Sequence, residues 1–592
     1  MMNTKYLFLA ALAVAHISCS SDDDINPSAG FPTTVLTPKT TVSEGLDMTL
    51  ATDKAIYAPG ETVTFTLSGS ASGLKVRYRQ GCDVVATEAL SGNTWTWTAP
   101  STDGRGYLVD VYADNNGPET IHATIGVDVS SSWALYPRYG FVSDYGSDKT
   151  SAVISREAAQ LNRYHINGVQ FYDWQYKHHR PAPVDDQGNL LATYTDIANR
   201  TLQTSVVKGY ISALHGRGMK TMFYNLCYGA LDDAQQDGVS DRWMMYNNTA
   251  HSDVRKLDMA DSWKSDIYLT NPGDAAWQQY MAQRIREVYQ HFDFDGFHTD
   301  QLGDQGAVYD YYGSLLNLKN GFRTFLNTMK ADEPQKSLVM NAVANYGSKD
   351  ILSSGAVDFA YCELWDGEGS FADLHEAIKN NNSYSKGTRR TVLAAYMNYR
   401  NAMPTFNTPG VLLTDAAIFA LGGSHIELSG DHMLYSEYFP DKDKQMDATL
   451  QSAIVNYYDF MTAYEDLLRG EGYETTADVY SGADSVSINQ WPPRMGSVAA
   501  YARQSGNRLA VQLLNFRQAN SLSWRDLNGT QPEPTLLRNL PLRVKAPGAH
   551  RVWVATPDYL GGVPQELNFE QQGDYVTINL PVLKYWTMVV IE

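Results

Sequence analysis

The segment WQQYMAQRIREVYQHFDFDGFHTD, residues 277–300, contains the pattern that decides the fold class. Its last part, Gly296–Asp300, predicts a short strand that ends in a carboxylate. A helix followed by a strand is typical of βαβ units, and this alternation extends over about residues 133 to 470. The first part predicts an amphipathic helix, because apolar residues recur every three or four positions, at Trp277, Met281, Ile285, Val288 and Phe292.

Eight segments of this region predict strands. Eight strands with helices between them favour a central (β/α)8 TIM barrel with long loops, at residues 132–471. A doubly wound sheet is the alternative, but none of the segments is followed by a glycine-rich phosphate-binding turn. The segments are Gly168–Tyr172, Lys220–Asn225, Ile267–Thr270, Gly296–Asp300, Leu338–Ala342, Val357–Glu363, Val392–Met397 and His425–Leu428.

Two regions without helical periodicity flank the predicted barrel. Thr62–Leu67 and Thr94–Thr98 alternate with a period of two, and the segment DKAIYAPGETVTF, residues 53–65, resembles the opening of immunoglobulin-like sandwiches. We therefore predict an immunoglobulin-like β-sandwich at residues 37–131. Short strand segments also predict a C-terminal antiparallel β-sandwich at residues 472–592. The predicted fold class is multidomain, with a TIM barrel between two sandwiches.

The start of the chain predicts an export signal. Tyr6–Ile17 is mostly apolar and too short to span a bilayer, and it follows a basic residue. Cys19, which an acidic run follows, resembles the cysteine that bacterial lipoproteins modify with lipid; an ordinary cleaved signal peptide is the alternative. We predict a lipoprotein signal peptide at residues 1–19 and a polar tether at residues 20–36. The protein is expected at the cell surface or outer membrane through a lipid anchor alone, or otherwise in the periplasm.

Composition excludes several classes of function. The chain has 592 residues and a formal charge of −20, which repels phosphate backbones and argues against nucleic acid as a partner. Its 38 Tyr and 12 Trp offer flat faces on which sugar rings stack. The four cysteines, Cys19, Cys82, Cys227 and Cys362, are too far apart in sequence to suggest a disulfide scaffold or a cysteine-rich zinc site. We expect no metal and no cofactor, and a monomer.

Two predicted strands end in acidic residues that could act together. Active sites of TIM barrels lie at the carboxyl ends of the strands, so Asp300 after the fourth strand and Glu363 after the sixth are expected to face each other. Two carboxyl groups are the minimum needed to cleave a glycosidic bond. A separation of about 5–5.5 Å predicts retention of configuration and about 6.5–9.5 Å predicts inversion. The alternative is that both acids are structural, because barrel loops are rich in Asp and Glu.

Four motifs resemble glycoside hydrolase family 66, which contains endo-acting dextranases and cycloisomaltooligosaccharide glucanotransferases. They are YHINGVQFYDWQYKHHRP at residues 164–181, GFHTDQLG at 296–303, DFAYCELW at 358–365 and GGSHIELSGDHMLYSEYFP at 422–440. The resemblance extends over roughly residues 45–592. It implies that Asp300 is the nucleophile of a two-step retaining reaction and that Glu363 is its acid/base. We expect a raised pKa for Glu363, because Tyr361 and Trp365 remove solvent from it.

Other residues are candidates for substrate binding. Tyr172, Asp173 and Trp174 end the first predicted strand, where a carboxylate could bind hydroxyl groups and the indole could cover a sugar ring. Glu427 and Asp431 could compete as catalytic acids but fit better as a support network with neighbouring histidines. The remaining binding candidates follow the later strands and are Gln301, Asn345, Trp365, Asp366 and Asn398, with Trp243 as a weaker one.

These observations predict an endo-dextranase that hydrolyses α-1,6-glucosidic linkages and releases isomaltooligosaccharides, with the linkage implied by the family resemblance. The first alternative is a cycloisomaltooligosaccharide glucanotransferase, which in this family carries an extra carbohydrate-binding module within the barrel. Fewer than thirty residues separate the seventh and eighth predicted strands, so hydrolysis is favoured. The second alternative is a non-catalytic glycan-binding lipoprotein, which the presence of both Asp300 and Glu363 argues against.

Overall fold

The computed structural model describes residue 28 and residues 30–32, 35–114 and 117–592. The predicted signal peptide with Cys19 and most of the predicted tether lie outside the described residues. In the part of the chain that is described, no helix is both long enough and apolar enough to cross a membrane.

Eight parallel strands form the central sheet and are labelled β1 to β8 in chain order. Each strand pairs with the next one. A bridge between Phe141 of the first strand and Ser429 beyond the last brings the two edges together, so the predicted barrel is confirmed. The strands are β1 Tyr139–Val142, β2 Gly168–Phe171, β3 Lys220–Leu226, β4 Gly296–Asp300, β5 Ser337–Val343, β6 Ala360–Glu363, β7 Thr391–Ala394 and β8 Gly423–His425.

Helices cover the outside of this sheet, and side chains at their first turns fix where they begin. Asp274 accepts hydrogen bonds from the backbone N–H groups of Ala276 and Trp277, which otherwise lack partners in the first turn of α3. The helices are α1 Ser151–Arg163, α2 Thr204–His215, α3 Ala275–His291, α4 Leu318–Asp332, α5 Ser348–Ser353, α6 Phe371–Tyr384, α7 Thr408–Ala420, α8 Ala448–Ala463 and the short α9 Glu465–Leu468.

Two of the strand predictions need correction. The first barrel strand, Tyr139–Val142, has only four residues and was not among the predicted segments. Ile267–Leu269 is a strand, but it pairs antiparallel with Gly229–Ala230 and Lys256–Leu257 in a small sheet of the loop after β3. The two errors cancel in the numbering beyond this loop, so Asp300 still ends the fourth strand and Glu363 the sixth.

The inside of the barrel is filled by side chains that alternate along the strands. Phe359 and Tyr361 of the β6 region and Val392, Ala394 and Tyr396 of the neighbouring β7 region all belong to one buried cluster. Gly296 begins β4 beside the next strand: a Cβ atom there would lie 2.4 Å from the carbonyl oxygen of Ser337, so a larger residue could not pack at this position.

The N-terminal region is a β-sandwich, as predicted. Its core lies between a three-stranded sheet and a five-stranded sheet, and strands Thr62–Leu67 and Thr94–Thr98 have the predicted bounds. The three-stranded sheet contains Leu50–Thr52, Thr62–Leu67 and Thr94–Thr98. The five-stranded sheet contains Val42–Glu44, Glu119–Val129, Arg105–Asp114, Lys75–Gln80 and Asp83–Ala89, in that order.

The C-terminal region is a second, mainly antiparallel β-sandwich, also as predicted. Its two sheets bury a separate apolar core. One sheet contains Tyr473–Thr475, Ser487–Gln490, Ser497–Ser505, Arg508–Asn515, Trp586–Ile591, Val552–Ala555 and Gln565–Glu566. The other contains Val479–Ser481, Leu537–Lys545, Tyr575–Leu583 and Glu570–Gln572.

A buried charge network joins the first sandwich to the barrel. The Arg138 guanidinium lies 2.6 Å from a carboxylate oxygen of Asp128 and 2.7 Å from one of Glu465. Arg469 also contacts Glu465, at 3.4 Å, and all four side chains are fully buried. Because Asp128 is in the sandwich, Arg138 precedes β1 and Glu465 is in α9, this network fixes the contact between two regions.

Candidate active site

A cavity of about 590 Å³ opens at the carboxyl ends of the barrel strands. Asp300, Asn341, Glu363 and Tyr396 line it from four consecutive strands or their ends. Aromatic and apolar side chains of the surrounding loops form the walls, among them Trp263, Trp365, Tyr438 and Phe439. Such a concave site with a few convergent polar groups is typical of small-ligand and carbohydrate binding.

Asp300 ends β4 and accepts three hydrogen bonds from neutral donors. The Tyr224 hydroxyl donates to its Oδ2 at 2.8 Å. The backbone N–H of Gln301 and the side-chain amide of Asn341 donate to its Oδ1, at 2.7 and 2.8 Å. Three donors aimed at one carboxylate stabilise its ionised form.

Glu363 ends β6 and is buried. The Tyr396 hydroxyl donates to its Oε1 at 2.6 Å, and the Asn341 amide donates to its Oε2 at 3.0 Å. The side chain of Trp365 also donates to this carboxyl group, so within the described structure Glu363, like Asp300, is surrounded by neutral donors alone.

The side chain of Asn341 connects the two acids. Its Nδ2 atom donates to both Asp300 Oδ1, at 2.8 Å, and Glu363 Oε2, at 3.0 Å. The two oxygens are consequently at most about 6 Å apart. Both carboxyl groups face the same cavity and can reach one bound molecule from different sides.

The surroundings raise the pKa of both carboxyl groups. Burial raises the pKa of Asp300, and the nearby charge of Glu363 raises it further. Burial likewise raises the pKa of Glu363. Two carboxyl groups this close cannot both ionise easily in a desolvated site, so the pair retains one proton at pH values where isolated acids have lost theirs.

A neutral histidine forms the floor between the two acids. His298 lines the cavity, and burial lowers its pKa to about 3, so it carries no charge at neutral pH. Its ring stacks on Tyr139, whose hydroxyl is 3.1 Å from Nδ1, and meets the edge of Tyr361 at 4.7 Å. These contacts hold the floor of the cavity without adding a cation to it.

The sequence profile of Glycosyl hydrolase family 66 matches residues 52–590, which include most of both sandwiches as well as the barrel. The chain belongs to glycosyl hydrolase family 66. The resemblance that four motifs predicted is thereby confirmed.

Relatives of this chain include cycloisomaltooligosaccharide glucanotransferases and a dextranase. A cycloisomaltooligosaccharide glucanotransferase of Niallia circulans is 26% identical over 711 residues, covering 91% of this chain and 71% of that protein. A dextranase of Streptococcus salivarius is 23% identical over 583 residues, covering 86% and 68%. The crystal structure of a Paenibacillus cycloisomaltooligosaccharide glucanotransferase complexed with cycloisomaltoheptaose matches with a TM-score of 0.86 at 25% identity, covering 93% of this chain and all of that one. The protein is thus a family 66 enzyme, a glycosidase or a glucanotransferase.

Four of the predicted binding residues line the family 66 cavity. Tyr172 stacks on Phe439, with ring centroids 4.3 Å apart. Asp173 has a left-handed backbone with φ 44°, and among the described residues its side chain accepts one hydrogen bond, a long one of 3.4 Å from Gln175. Burial raises the pKa of Asp173 to about 7. Because its carboxyl group accepts only this long hydrogen bond among the described residues, it has free hydrogen-bonding capacity. The other two are Trp365 and Gln301, whose amide binds the backbone oxygens of Asn341 and Tyr346 and holds the end of β4.

The structure places the other four predicted binding residues away from the cavity. Trp174 is fully buried in the barrel wall, where its indole donates to the carbonyl of Tyr224, so it cannot cover a sugar ring. Asp366 is exposed outside the cavity. The amide of Asn345 binds the carboxylate of Glu368, and that of Asn398 binds the carbonyl of Asp526 at 2.7 Å. Both amides thus stabilise loops. The weaker candidate, Trp243, packs on α3.

Several cavity residues were not among the predicted ones. Asn341 and Tyr224 lie within strands, and Tyr396 lies two residues beyond β7. The predicted binding residues were chosen because they follow strands. Asn341, Tyr224 and Tyr396 instead point into the barrel from positions near the strand ends. A polar residue at an inward position of an apolar strand, as in the SLVMNAV segment of β5, is the signal that could have found Asn341.

A second buried acid cluster lies between α7 and the end of β8, outside the cavity. Nδ1 of His425 is 2.9 Å from Asp415 and 3.3 Å from Glu427, and Glu427 also accepts a hydrogen bond from Tyr458. Burial alone lowers the pKa of His425, but the charges of Glu427 and Asp415 raise it to about 10. Asp431 binds Lys149 at 2.9 Å and Lys442 at 2.7 Å, and it lies 2.7 Å from Nδ1 of His432. These contacts agree with the predicted support network.

His179 and Cys362 lie near the active site but have structural contacts of their own. His179 binds Asp237 at 2.9 Å, and the ammonium of Lys177 lies 2.6 Å from Asp233 and 2.7 Å from Asp237. A lysine therefore already neutralises these carboxylates. The Cys362 thiol points away from the cavity and accepts a hydrogen bond from Asn381 of α6, as the alternation of side chains along β6 requires.

Proposed function

We propose that this family 66 enzyme hydrolyses internal α-1,6-glucosidic linkages of dextran with retention of configuration and releases isomaltooligosaccharides. The observation that carries the proposal is the amide of Asn341, which binds Asp300 and Glu363 together and keeps their nearest oxygens within about 6 Å. An inverting enzyme needs about 6.5–9.5 Å between its carboxyl groups to admit the attacking water. The shorter spacing supports a direct attack by one of the acids.

The two acids are assigned the roles that the family resemblance implies, and the three neutral donors around Asp300 suit it to the ionised role. The ionised Asp300, stabilised by three donors, attacks the anomeric carbon while Glu363 gives its proton to the departing glycosidic oxygen. The resulting glucosyl ester is then cleaved when Glu363 takes a proton from water and the water oxygen attacks the same carbon. This step releases Asp300 as a carboxylate and leaves Glu363 protonated for the next cycle.

The cavity walls supply contacts that suit a glucan chain. Tyr172 and Trp365 present ring surfaces, on which the apolar faces of glucose units can pack. The carboxyl group of Asp173 has capacity for sugar hydroxyl groups.

Comparison of chain lengths favours hydrolysis over cyclisation. The alignment with the Niallia circulans glucanotransferase has 711 positions but covers about 539 residues of this chain, so about 170 positions of that alignment have no counterpart here. The corresponding difference for the Streptococcus salivarius dextranase is about 70. Only residues 395–422 separate β7 and β8, too few for an inserted carbohydrate-binding module.

Digestion of purified dextran tests the proposal. We expect new reducing ends and linear isomaltooligosaccharides, and products that first appear as the α-anomer in proton NMR. Intact dextran after prolonged incubation, or a β-anomer as the first product, would contradict it.

The second candidate function is formation of cyclic isomaltooligosaccharides. It is supported by the 0.86 TM-score to the Paenibacillus glucanotransferase. The same digests distinguish the two activities, because cyclic products lack a reducing end and differ from linear ones by the mass of one water. Predominance of such products would favour the second candidate.

We also propose that the protein is exported as a monomeric lipoprotein anchored through Cys19. The support is the sequence pattern of residues 1–24. Labelling of expressing cells with radioactive palmitate is expected to mark the wild-type protein and not the Cys19→Ala variant. Equal labelling of the two, or no labelling of either, would contradict the anchor.

A further inference from the structure

A loop of the C-terminal sandwich reaches the edge of the catalytic cavity. This loop, residues 516–536, connects the strands Arg508–Asn515 and Leu537–Lys545. It forms a short antiparallel bridge between Ser523 and Ser370, in the segment that links β6 to α6. The indole N–H of Trp524 donates to the carbonyl of Glu368 at 2.7 Å. The loop is therefore fixed to the segment that immediately follows Glu363.

The same loop is also fixed to the segment after β7. The backbone N–H of Asn398 donates to the carbonyl of Arg525 at 2.9 Å, and its side-chain amide donates to the carbonyl of Asp526 at 2.7 Å. The amide of Asn407 donates to the carbonyl of Gln531. The loop thus lies between two strand-to-helix connections of the barrel and contacts both.

Arg525, at the centre of this contact, is 3% exposed. Its guanidinium donates to the carbonyl of Leu364 at 2.7 Å, next to Glu363. The guanidinium carbon is 5.4 Å from the ring centroid of Trp365, 5.6 Å from that of Tyr399 and 5.1 Å from that of Trp524. Among the described residues no carboxylate lies within 4 Å of it. A buried cation without an ion pair is costly, and here aromatic rings and one carbonyl offset that cost.

Trp365 is the connection between this cation and the cavity. It lines the cavity beside Glu363, while the guanidinium of Arg525 lies over its ring. A planar guanidinium restricts a stacked indole more strongly than an aliphatic chain does. Glu363 is oriented by Tyr396 and Asn341 and also accepts a hydrogen bond from the side chain of Trp365, whereas Arg525 itself donates to the carbonyl of Leu364.

From these contacts we propose that Arg525 is a positioning residue. It holds Trp365 as the wall of the subsite for the glucose unit next to the scissile bond, so that the C-terminal sandwich takes part in glucan recognition. The inference rests on the proposed function, since it assigns a glucan to the cavity. Because the hydrogen bonds of the two acids do not involve Arg525, its loss is expected to act on binding more than on the chemical step.

Steady-state kinetics with dextran test this proposal. We expect Arg525→Met to raise KM about tenfold with kcat changed less than threefold, and Arg525→Lys, which keeps the charge and loses the planar stack, to give a smaller rise. The control is Arg538→Met, because Arg538 lies 5.9 Å from the Tyr559 ring on an exposed part of the same sandwich. The control is expected to match the wild type.

A double-mutant cycle shows whether Arg525 acts through Trp365. If it does, Arg525→Met adds little to the KM increase caused by Trp365→Ala, whereas additive effects would overturn the proposal. A lower melting temperature with an unchanged KM would show a purely structural role and also overturn it.

If Arg525→Met does not fold, the KM of Arg525→Lys decides. A wild-type enzyme inactive on dextran would remove the proposed function and this inference together; an active one with unchanged KM in both Arg525 variants would remove the inference alone.

Discussion

Two clusters of buried acids lie near the strand ends of this barrel, and they differ in whether a cation lies between the acids and in whether the acids reach the cavity. In the described part of the chain, Asp300 and Glu363 are bound by neutral donors alone, from Asn341, an indole, two tyrosines and a backbone amide, and open into the cavity. Asp415 and Glu427 surround His425, whose raised pKa of about 10 makes it a cation at neutral pH.

The comparison explains why one cluster suits catalysis and the other suits stability. The His425 cation offsets part of the charge of its two acids, but burial and the charge of Glu427 still raise the pKa of Asp415 to about 8, and none of the three residues lines the cavity. Two acids without a cation instead share a proton, and the reaction of a retaining glycosidase requires one protonated and one ionised carboxyl group. Substitutions in the cavity pair, Asp300 and Glu363, can be compared with substitutions in the closed cluster, Asp415, His425 and Glu427. This comparison tests the difference.

The largest effect is expected for the cavity pair. Asp300→Asn should lower kcat on dextran by about 10⁴-fold, because the nucleophile of the covalent step is lost. The same change in the closed cluster, Asp415→Asn, should leave kcat of the folded protein within about twofold of the wild type, as no reacting atom is involved. Initial rates of reducing-end release measure both. A comparable loss of kcat in the two variants would remove the distinction between the clusters.

Glu363→Gln should give a second large decrease, which azide can partly reverse. The amide cannot activate water in the second step, but azide needs no base and can attack a glucosyl ester on Asp300. Formation of an α-glucosyl azide, detected by mass spectrometry and NMR, is the expected result on a substrate with an activated leaving group. Azide should have no such effect on Asp300→Asn, and rescue of that variant would reverse the assigned roles.

The next largest effect is expected on stability, in the closed cluster. His425→Gln should destabilise the protein by about 3–5 kcal/mol, because it leaves two acids buried without their cation. The matched control is His375→Gln, since His375 binds the partly exposed Glu474 at 2.9 Å and such pairs contribute at most about 1 kcal/mol. Denaturant midpoints followed by fluorescence give the comparison. Equal midpoints for the two variants would show that the buried cation is not needed.

A smaller decrease in kcat is expected when the Asn341 amide, which binds both Asp300 and Glu363, is removed. Asn341→Ala should lower kcat by about 100-fold, close to 2.7 kcal/mol of barrier, because both carboxyl groups lose a donor. Loss of donors to the ionised form raises a carboxyl pKa, so the acidic limb of the pH–rate profile should move to higher pH. A reduced kcat with an unmoved profile would limit Asn341 to a packing role.

The smallest effect is the pH dependence of stability. The folded pKa of Glu363 is raised, so the folded state keeps a proton that the unfolded state has released above about pH 4.5. The wild type should therefore lose stability relative to Glu363→Gln as pH rises from there through the raised pKa. The loss amounts to about 1.4 kcal/mol for every tenfold difference in proton affinity between the folded and unfolded carboxyl group.

The stability from His425 follows a different range of pH. Its pKa is raised from 6.5 to about 10, so its contribution is complete below pH 6.5 and is lost as pH rises towards 10. Melting temperatures of Glu363→Gln, His425→Gln and the wild type between pH 4 and pH 10 separate the two ranges. A constant difference between Glu363→Gln and the wild type over this interval would contradict the raised pKa of Glu363.

The barrel and its two acids could be predicted because both depend on local patterns. The alternation of helices and strands is visible in single segments, and the rule that barrel sites lie after the strands selects Asp300 and Glu363. The strand Tyr139–Val142 was missed because four residues are too few for a periodic signal. Ile267–Leu269 was misplaced because its sequence shows that it is a strand and does not show its partner.

The remaining parts of the site depend on side-chain direction and on contacts far apart in sequence. Trp174 and Trp365 both follow a strand, yet one packs in the barrel wall and the other lines the cavity. The left-handed turn at Asp173 reverses the direction expected for the next side chain. The contact between Arg525 and Trp365 joins two domains, and no sequence pattern near either residue indicates it.

The network of Asp128, Arg138 and Glu465 limits how the gene can be shortened. A version beginning after residue 131 would keep the whole barrel but would enclose the Arg138 guanidinium with half of its counter-charge missing. Such a product is expected to collect in inclusion bodies, whereas one that begins near residue 35 should be recovered in soluble form. The N-terminal sandwich and the barrel therefore have to be expressed together.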